Sequence, residues 1–125
     1  MLGNTDAAAN LAVKDLQASQ RFYGETLGLT KLGSEGEELI VFRSGSSMIN
    51  VYRSQYAGTN KATAVTWDVG ERLRDIVKAL KDKGVAFEHY DMPGMRRDGD
   101  IHDGGHMKVA WFKDPDGNIL NLVGR

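Results

Sequence analysis

Apolar residues recur at helical spacing in two places along the chain. Leu73, Ile76, Val77 and Leu80 fall at i, i+3, i+4 and i+7, which puts their side chains on one face of an α-helix. Arg72, Arg74, Asp75, Lys78 and Lys81 supply the wet face and Gly84 a stop, so the pattern predicts a helix over about Glu71–Lys83. Leu16, Phe22, Tyr23 and Leu27 give a second apolar face. Asp15 is placed to accept from free N–H groups at its start and Gly28 to close it, predicting a helix over about Leu16–Leu27.

Short β-like runs surround both helices. Asn10–Val13 precedes the first; Leu29–Leu32, Glu38–Phe42 and Met48–Tyr52 follow it. Ala62–Val69 precedes the second; Val85–Tyr90, Met107–Lys113 and Ile119–Val123 follow it. Turn residues separate them, as in Ser44-Gly45-Ser46 and Asp114-Pro115-Asp116-Gly117-Asn118. The predicted order is βαβββ twice, in modules of about 5–57 and 58–125. The halves share one offset: Val13 and Val69, and Gly28 and Gly84, are each 56 positions apart, which points to an internal duplication. The second half is longer between Pro93 and His106, where PGMRRDGDIHDGGH reads as a long polar loop, mobile or acting as a lid.

Composition narrows the function classes. A chain of 125 residues with 41% apolar content suits one domain with a real core. Sixteen Lys+Arg against 17 Asp+Glu leave no basic footprint for nucleic acid or an anionic membrane. The absence of cysteine removes disulfides, thiolate nucleophiles and Cys-based zinc sites. No apolar run approaches the roughly 20 residues that span a bilayer, and MLGNTDAAAN does not read as a signal peptide. A cytoplasmic protein is expected.

The stretch LAVKDLQASQRFYGETLGL resembles the opening of the vicinal-oxygen-chelate superfamily, the glyoxalase/bleomycin-resistance/dioxygenase proteins, with a strand, Asp-Leu, and a helix carrying Phe-Tyr and closing on Leu-Gly. WFKDPDGNILNLV is similar to that superfamily's final hairpin. The resemblance implies an α+β fold of two βαβββ modules forming a half-open, eight-stranded mixed sheet, with helices on its convex side. Because side chains alternate across a strand, Leu11, Val13, Ile49, Val51, Val65, Trp67, Val69, Leu120 and Leu122 should pack under helices. The cavity-facing set is then Ala8, Asn10, Ala12, Met48, Asn50, Tyr52, Ala64, Thr66, Asp68, Ile119, Asn121 and Val123.

Metal-dependent members of the superfamily hold a divalent ion with His or Glu/Gln on strands one, four, five and eight. The matching positions here are Ala8, Asn50, Ala64 and Asn121. Alanine has no donor atom and a carboxamide is a neutral, weak oxygen ligand, so no metal and no other cofactor is expected. His102 and His106 are four apart but separated by Asp103-Gly104-Gly105, which makes a helical metal pair improbable; they read first as solvated loop histidines. His89 reads as an ordinary sheet histidine, and Arg96-Arg97 beside Gly94 as a solvated charge pair. Asp68 is the one cavity-facing carboxylate and, with His102 or His106, the weak candidate for proton transfer.

The implied function is metal-free capture of a small organic molecule in the cleft, as in bleomycin-resistance-type sequestration. Asn10, Asn50, Asp68 and Asn121 would be polar anchors, with Tyr52 and Trp111 or Phe112 as walls. A homodimer is the family expectation. The alternative is a glyoxalase- or dioxygenase-like lyase or oxidoreductase with a non-standard site.

Overall fold

The computed structural model describes residues 1–125. By internal contacts the chain separates into two compact units, Met1–Thr59 with Pro115–Asn118, and Asn60–Asp114 with Ile119–Arg125.

In the first unit, β1 (Ala8–Val13) leads into α1 (Leu16–Gln20), which widens into π-helical turns over Arg21–Thr26. Asp15 caps the start, its Oδ1 accepting from Ala18 N–H at 3.1 Å. The predicted helix is thus present, but its second half is wider than an α-helix, with Leu27 N–H bonding back five residues to Phe22 O at 2.9 Å. Three strands follow: β2 (Thr30–Glu35), β3 (Leu39–Ser44) and β4 (Ser47–Arg53). The sheet order is β1-β4-β3-β2, with β1 parallel to β4 and the other neighbours antiparallel. Leu11, Val13, Ile40, Phe42, Ile49 and Val51 are buried on one face together with Tyr23, whose ring lies 6.1 Å from that of Phe42. Burying each such side chain is worth about 1.5–3 kcal/mol relative to exposure. The Pro115–Asn118 turn packs with this unit, Asn118 donating its side-chain N–H to Ala12 O at 2.8 Å.

The second unit repeats the plan and adds to it. It contains β5 (Thr63–Gly70), α2 (Leu73–Asp82), β6 (Phe87–Glu88), β7 (Arg96–Asp98), β8 (Ile101–Asp103), β9 (Lys108–Lys113) and β10 (Ile119–Gly124). Its sheet runs β5-β10-β9-β8-β7, with β6 also on β9 and β5 parallel to β10. Leu73, Val77 and Leu80 of α2 are buried, as are Phe87, Ala110, Phe112, Leu120 and Leu122. Trp67 stacks on Phe112 at 6.5 Å. Both helices end at a glycine with positive φ, +79° at Gly28 and +95° at Gly84, where a side chain would be strained.

The fold is the expected α+β pairing of βαβββ modules, with ten strands in two sheets rather than eight. The two extra strands lie in the segment expected to be a polar loop. Asp98 pairs with Ile101 across the two-residue turn Gly99-Asp100, so β7 and β8 form a tight hairpin. Its tip is pinned to α2: Arg74 Nη2 meets Asp98 Oδ2 at 2.8 Å and Lys81 Nζ meets Asp100 Oδ2 at 2.7 Å. Ile101 is buried at 4% exposure. These contacts hold the tip against α2. The predicted sixth strand shrinks to two residues because Tyr90 N–H turns away to a side chain, His102 Nε2, at 3.0 Å.

Candidate ligand-binding faces

Each sheet has one face turned away from its helix, and the strand registers say which side chains share it. In the first unit β1 and β4 pair as Ala8 with Met48, Asn10 with Asn50 and Ala12 with Tyr52. Leu11 and Val13 point the other way and are buried, as alternation requires. Met48 and Tyr52 are 44% and 39% exposed. Asn50 Nδ2 donates to Asn10 Oδ1 at 3.3 Å. This face is therefore largely apolar, with one carboxamide pair that satisfies itself in part.

In the second unit Asn121 pairs with Thr66 and Val123 with Asp68 on β5, and with Trp111 and Val109 on β9. That register decides between the two aromatic residues considered as a wall. Trp111 shares the open face with Asn121, whereas Phe112 is fully buried against Phe87, with ring centres 5.6 Å apart. Trp111 is half-buried and oriented by its Nε1–H, which donates to Thr63 Oγ1 at 3.2 Å. Asn121 is 8% exposed. Its Oδ1 is buried with no hydrogen-bond partner, a state that costs about 1–3 kcal/mol.

The proton-transfer candidates are placed apart. Asp68 stands exposed at the end of β5, its Oδ1 accepting from Gly70 N–H at 3.1 Å and its Oδ2 4.0 Å from Arg125. His106 is exposed in the connection between β8 and β9. His102 is not a solvated loop residue: it sits in β8 at 1% exposure. Val109 O can only accept and Tyr90 N–H can only donate. Nδ1–H of His102 therefore gives its proton to Val109 O at 3.3 Å, and Nε2 takes that of Tyr90 N–H at 3.0 Å. Both ring nitrogens are used, so the imidazole acts as a fixed strut. Its ring meets Trp111 edge-on at 4.8 Å and lies 6.4 Å from Tyr90.

One constellation escaped the sequence reading. His89 Nε2 lies 2.7 Å from Asp100 Oδ1, while Lys81 holds the other carboxylate oxygen. The hydrogen bond from Lys81, then that from His89, keeps the Asp100 carboxyl below its ordinary range. Its signal was the Gly99-Asp100 turn, which brings Asp100 back toward α2; the partners lie 11 and 19 residues away and no local period links them.

Both units carry open space, the second including a cleft of about 320 Å³ between α2 and the β7–β8 tip. In the first unit two clefts of about 410 and 470 Å³ run past Lys14 and Arg53, lined mainly by long charged and polar side chains. In the second unit a pocket of about 320 Å³ opens between the 90–95 segment and the β7–β8 hairpin.

The model of the Glyoxalase/Bleomycin resistance protein/Dioxygenase superfamily matches residues 6–122. The chain belongs to that superfamily. Solved structures share the superfamily fold at low identity. Lactoylglutathione lyase from Agrobacterium tumefaciens is 16% identical, with 97% of this chain and 93% of that chain covered and a TM-score of 0.72. A genomically encoded fosfomycin resistance protein from Listeria monocytogenes is also 16% identical, with 95% and 91% covered and a TM-score of 0.73. An antibiotic binding protein from Streptomyces sp. CB03234 is 19% identical, with 99% and 98% covered and a TM-score of 0.68. At these identities the likeness concerns the fold alone. No curated protein sequence matches the chain.

The residues at the superfamily's metal positions do not fit a divalent ion. Ala8 and Ala64 offer methyl groups, and the Asn50 carboxamide is engaged with Asn10. Asn121 is a lone neutral donor, and no group of three His, Cys, Asp or Glu converges anywhere in the chain. No helix is long and apolar enough to cross a membrane.

Proposed function

We propose that this superfamily member binds a small organic molecule without a metal or other cofactor, through the open faces of its sheets. The observation that carries the reading is Asn121: a buried carboxamide oxygen with no partner, beside an oriented Trp111. Buried polar groups without a protein partner are uncommon in folds, and a ligand or an ordered water is a common reason for one. A ligand N–H or O–H meeting Asn121, with a flat group against Trp111, matches what this face offers. Asn10, Asn50, Tyr52 and Asp68 are the further contacts in the proposal. Antibiotic-like compounds are the first to test, since a resistance protein and an antibiotic binding protein share the fold. A homodimer and a cytoplasmic location belong to the same proposal; the exposed Met48 and Tyr52 give a self-association surface. Thermal shift against an antibiotic panel tests it. A hit should raise Tm equally before and after exhaustive chelation, and Asn121→Leu should abolish the rise while leaving the unliganded protein at least as stable as before. Binding or turnover restored only by added metal would overturn it.

A second reading, lyase or oxidoreductase chemistry from a non-standard site, is favoured by the His89–Asp100 pair, in which a carboxylate orients an exposed imidazole. It requires a bell- or step-shaped pH–rate profile that His89→Gln removes.

A further inference from the structure

We infer that the pocket between the 90–95 segment and the β7–β8 hairpin binds a small aromatic zwitterion, its ring inside and its two charges at the rim. This rests on the small-molecule reading above and assigns it a ligand class. The walls are Tyr90, Met92, Met95 and His102. His102 cannot turn, because both of its nitrogens are bonded, and Tyr90 is braced edge-on against Trp111 at 5.2 Å. Met95 lies against Gly104, where an added Cβ would come within 3.2 Å of its terminal methyl. Thioethers and aromatic faces form a soft, polarisable lining suited to a flat ring. The volume, about 320 Å³, is near the lower end of small-molecule pockets and about twice a cavity that takes benzene, so it suits a bicyclic ring.

The charges narrow the class. Asp98 and Asp100 of the same hairpin are tied to Arg74 and to Lys81 and His89. Asp91 and Arg97, which also line the pocket, are exposed and make no ion pair with each other or with any neighbour. One free anion and one free cation beside a soft-walled cavity match an ammonium and a carboxylate carried by one aromatic molecule. A ligand with a single charge uses only half of that rim.

Calorimetric titration with L-tryptophan, tryptamine and indole-3-acetate tests this on the full chain. L-Tryptophan should bind more tightly than either analogue. Asp91→Asn should weaken L-tryptophan and tryptamine about two- to fivefold and leave indole-3-acetate unchanged, the scale expected of exposed charge pairs. Arg97→Gln should weaken L-tryptophan and indole-3-acetate and leave tryptamine unchanged. Met92→Trp, at a 41% exposed rim position, should block all three. The inference is overturned if none of the three binds at about 10 mM, where millimolar affinity still registers. It is equally overturned if they bind with no response to these three variants. Loss of binding in Asn121→Leu alone would move the ligand to the open face, sinking this inference and sparing the broader reading.

Discussion

The two modules put a similar pair of positions on their open faces and finish them differently. Asn10 faces Asn50 across β1 and β4; 56 residues on from Asn10, Thr66 faces Asn121 across β5 and β10. In the first module two carboxamides meet at 3.3 Å and satisfy each other in part. In the second, Thr66 stands in place of the facing carboxamide, and Asn121 Oδ1 is left buried and unmet. The second module alone adds a hairpin, a buried histidine strut and a row of aromatic rings. Duplication thus supplied one scaffold twice. The difference leaves the Asn121 carboxamide oxygen without a partner.

The largest effect should come from the strut that only the second module has. His102→Leu strands Tyr90 N–H and Val109 O and is expected to cost about 2–4 kcal/mol in urea unfolding. Hydrogen exchange should show the loss at Tyr90 and its neighbours, with β4 amides unchanged; uniform loss across both modules would break the comparison. Next comes Thr66→Asn, which copies the first module's pair into the second. It should raise stability by about 1 kcal/mol by satisfying Asn121 and weaken any ligand that Asn121→Leu also weakens. Unchanged stability would mean that a water already fills the role. The converse change, Asn10→Ala, touches a long and exposed hydrogen bond and should cost no more than about 0.5 kcal/mol.

The smallest effect is electrostatic. The Asp100 carboxyl is held below its ordinary range by Lys81 and His89. A depressed carboxyl contributes stability above the unfolded-state value and loses it as pH falls through the folded one. Hairpin amides should therefore keep their protection at neutral pH and lose it in acid below the ordinary carboxylate range. Asp100→Asn should make that acid limb shallower, as followed by exchange at Ile101 and His102, the remainder belonging to Asp98, whose carboxyl Arg74 also holds below its ordinary range.

Much of this was legible along the chain because it is periodic or local. The i, i+3, i+4, i+7 face of α2, the Asp15 cap, the glycine stops and the 56-residue offset follow from short-range geometry, and alternation together with the family resemblance assigned Leu11, Val13, Ile49 and Val51 to the core. What the chain could not display was pairing between distant positions. Asn10 and Asn50 are 40 residues apart, and Trp111 meets Thr63 across 48. His102 looked like a solvated loop residue because its two partners are backbone groups, which no side-chain pattern reveals. Strand register decided that Trp111 and not Phe112 lies open, since slipping a strand by one residue exchanges its faces. Long-range pairing likewise made a hairpin of a polar loop, by giving Asp98 and Asp100 cations on α2 to hold. The amino-acid sequence by itself determined the repeated scaffold and its buried faces. Only the tertiary structure decided which polar groups were satisfied and which remained open, because that balance depends on atoms brought together from far along the chain.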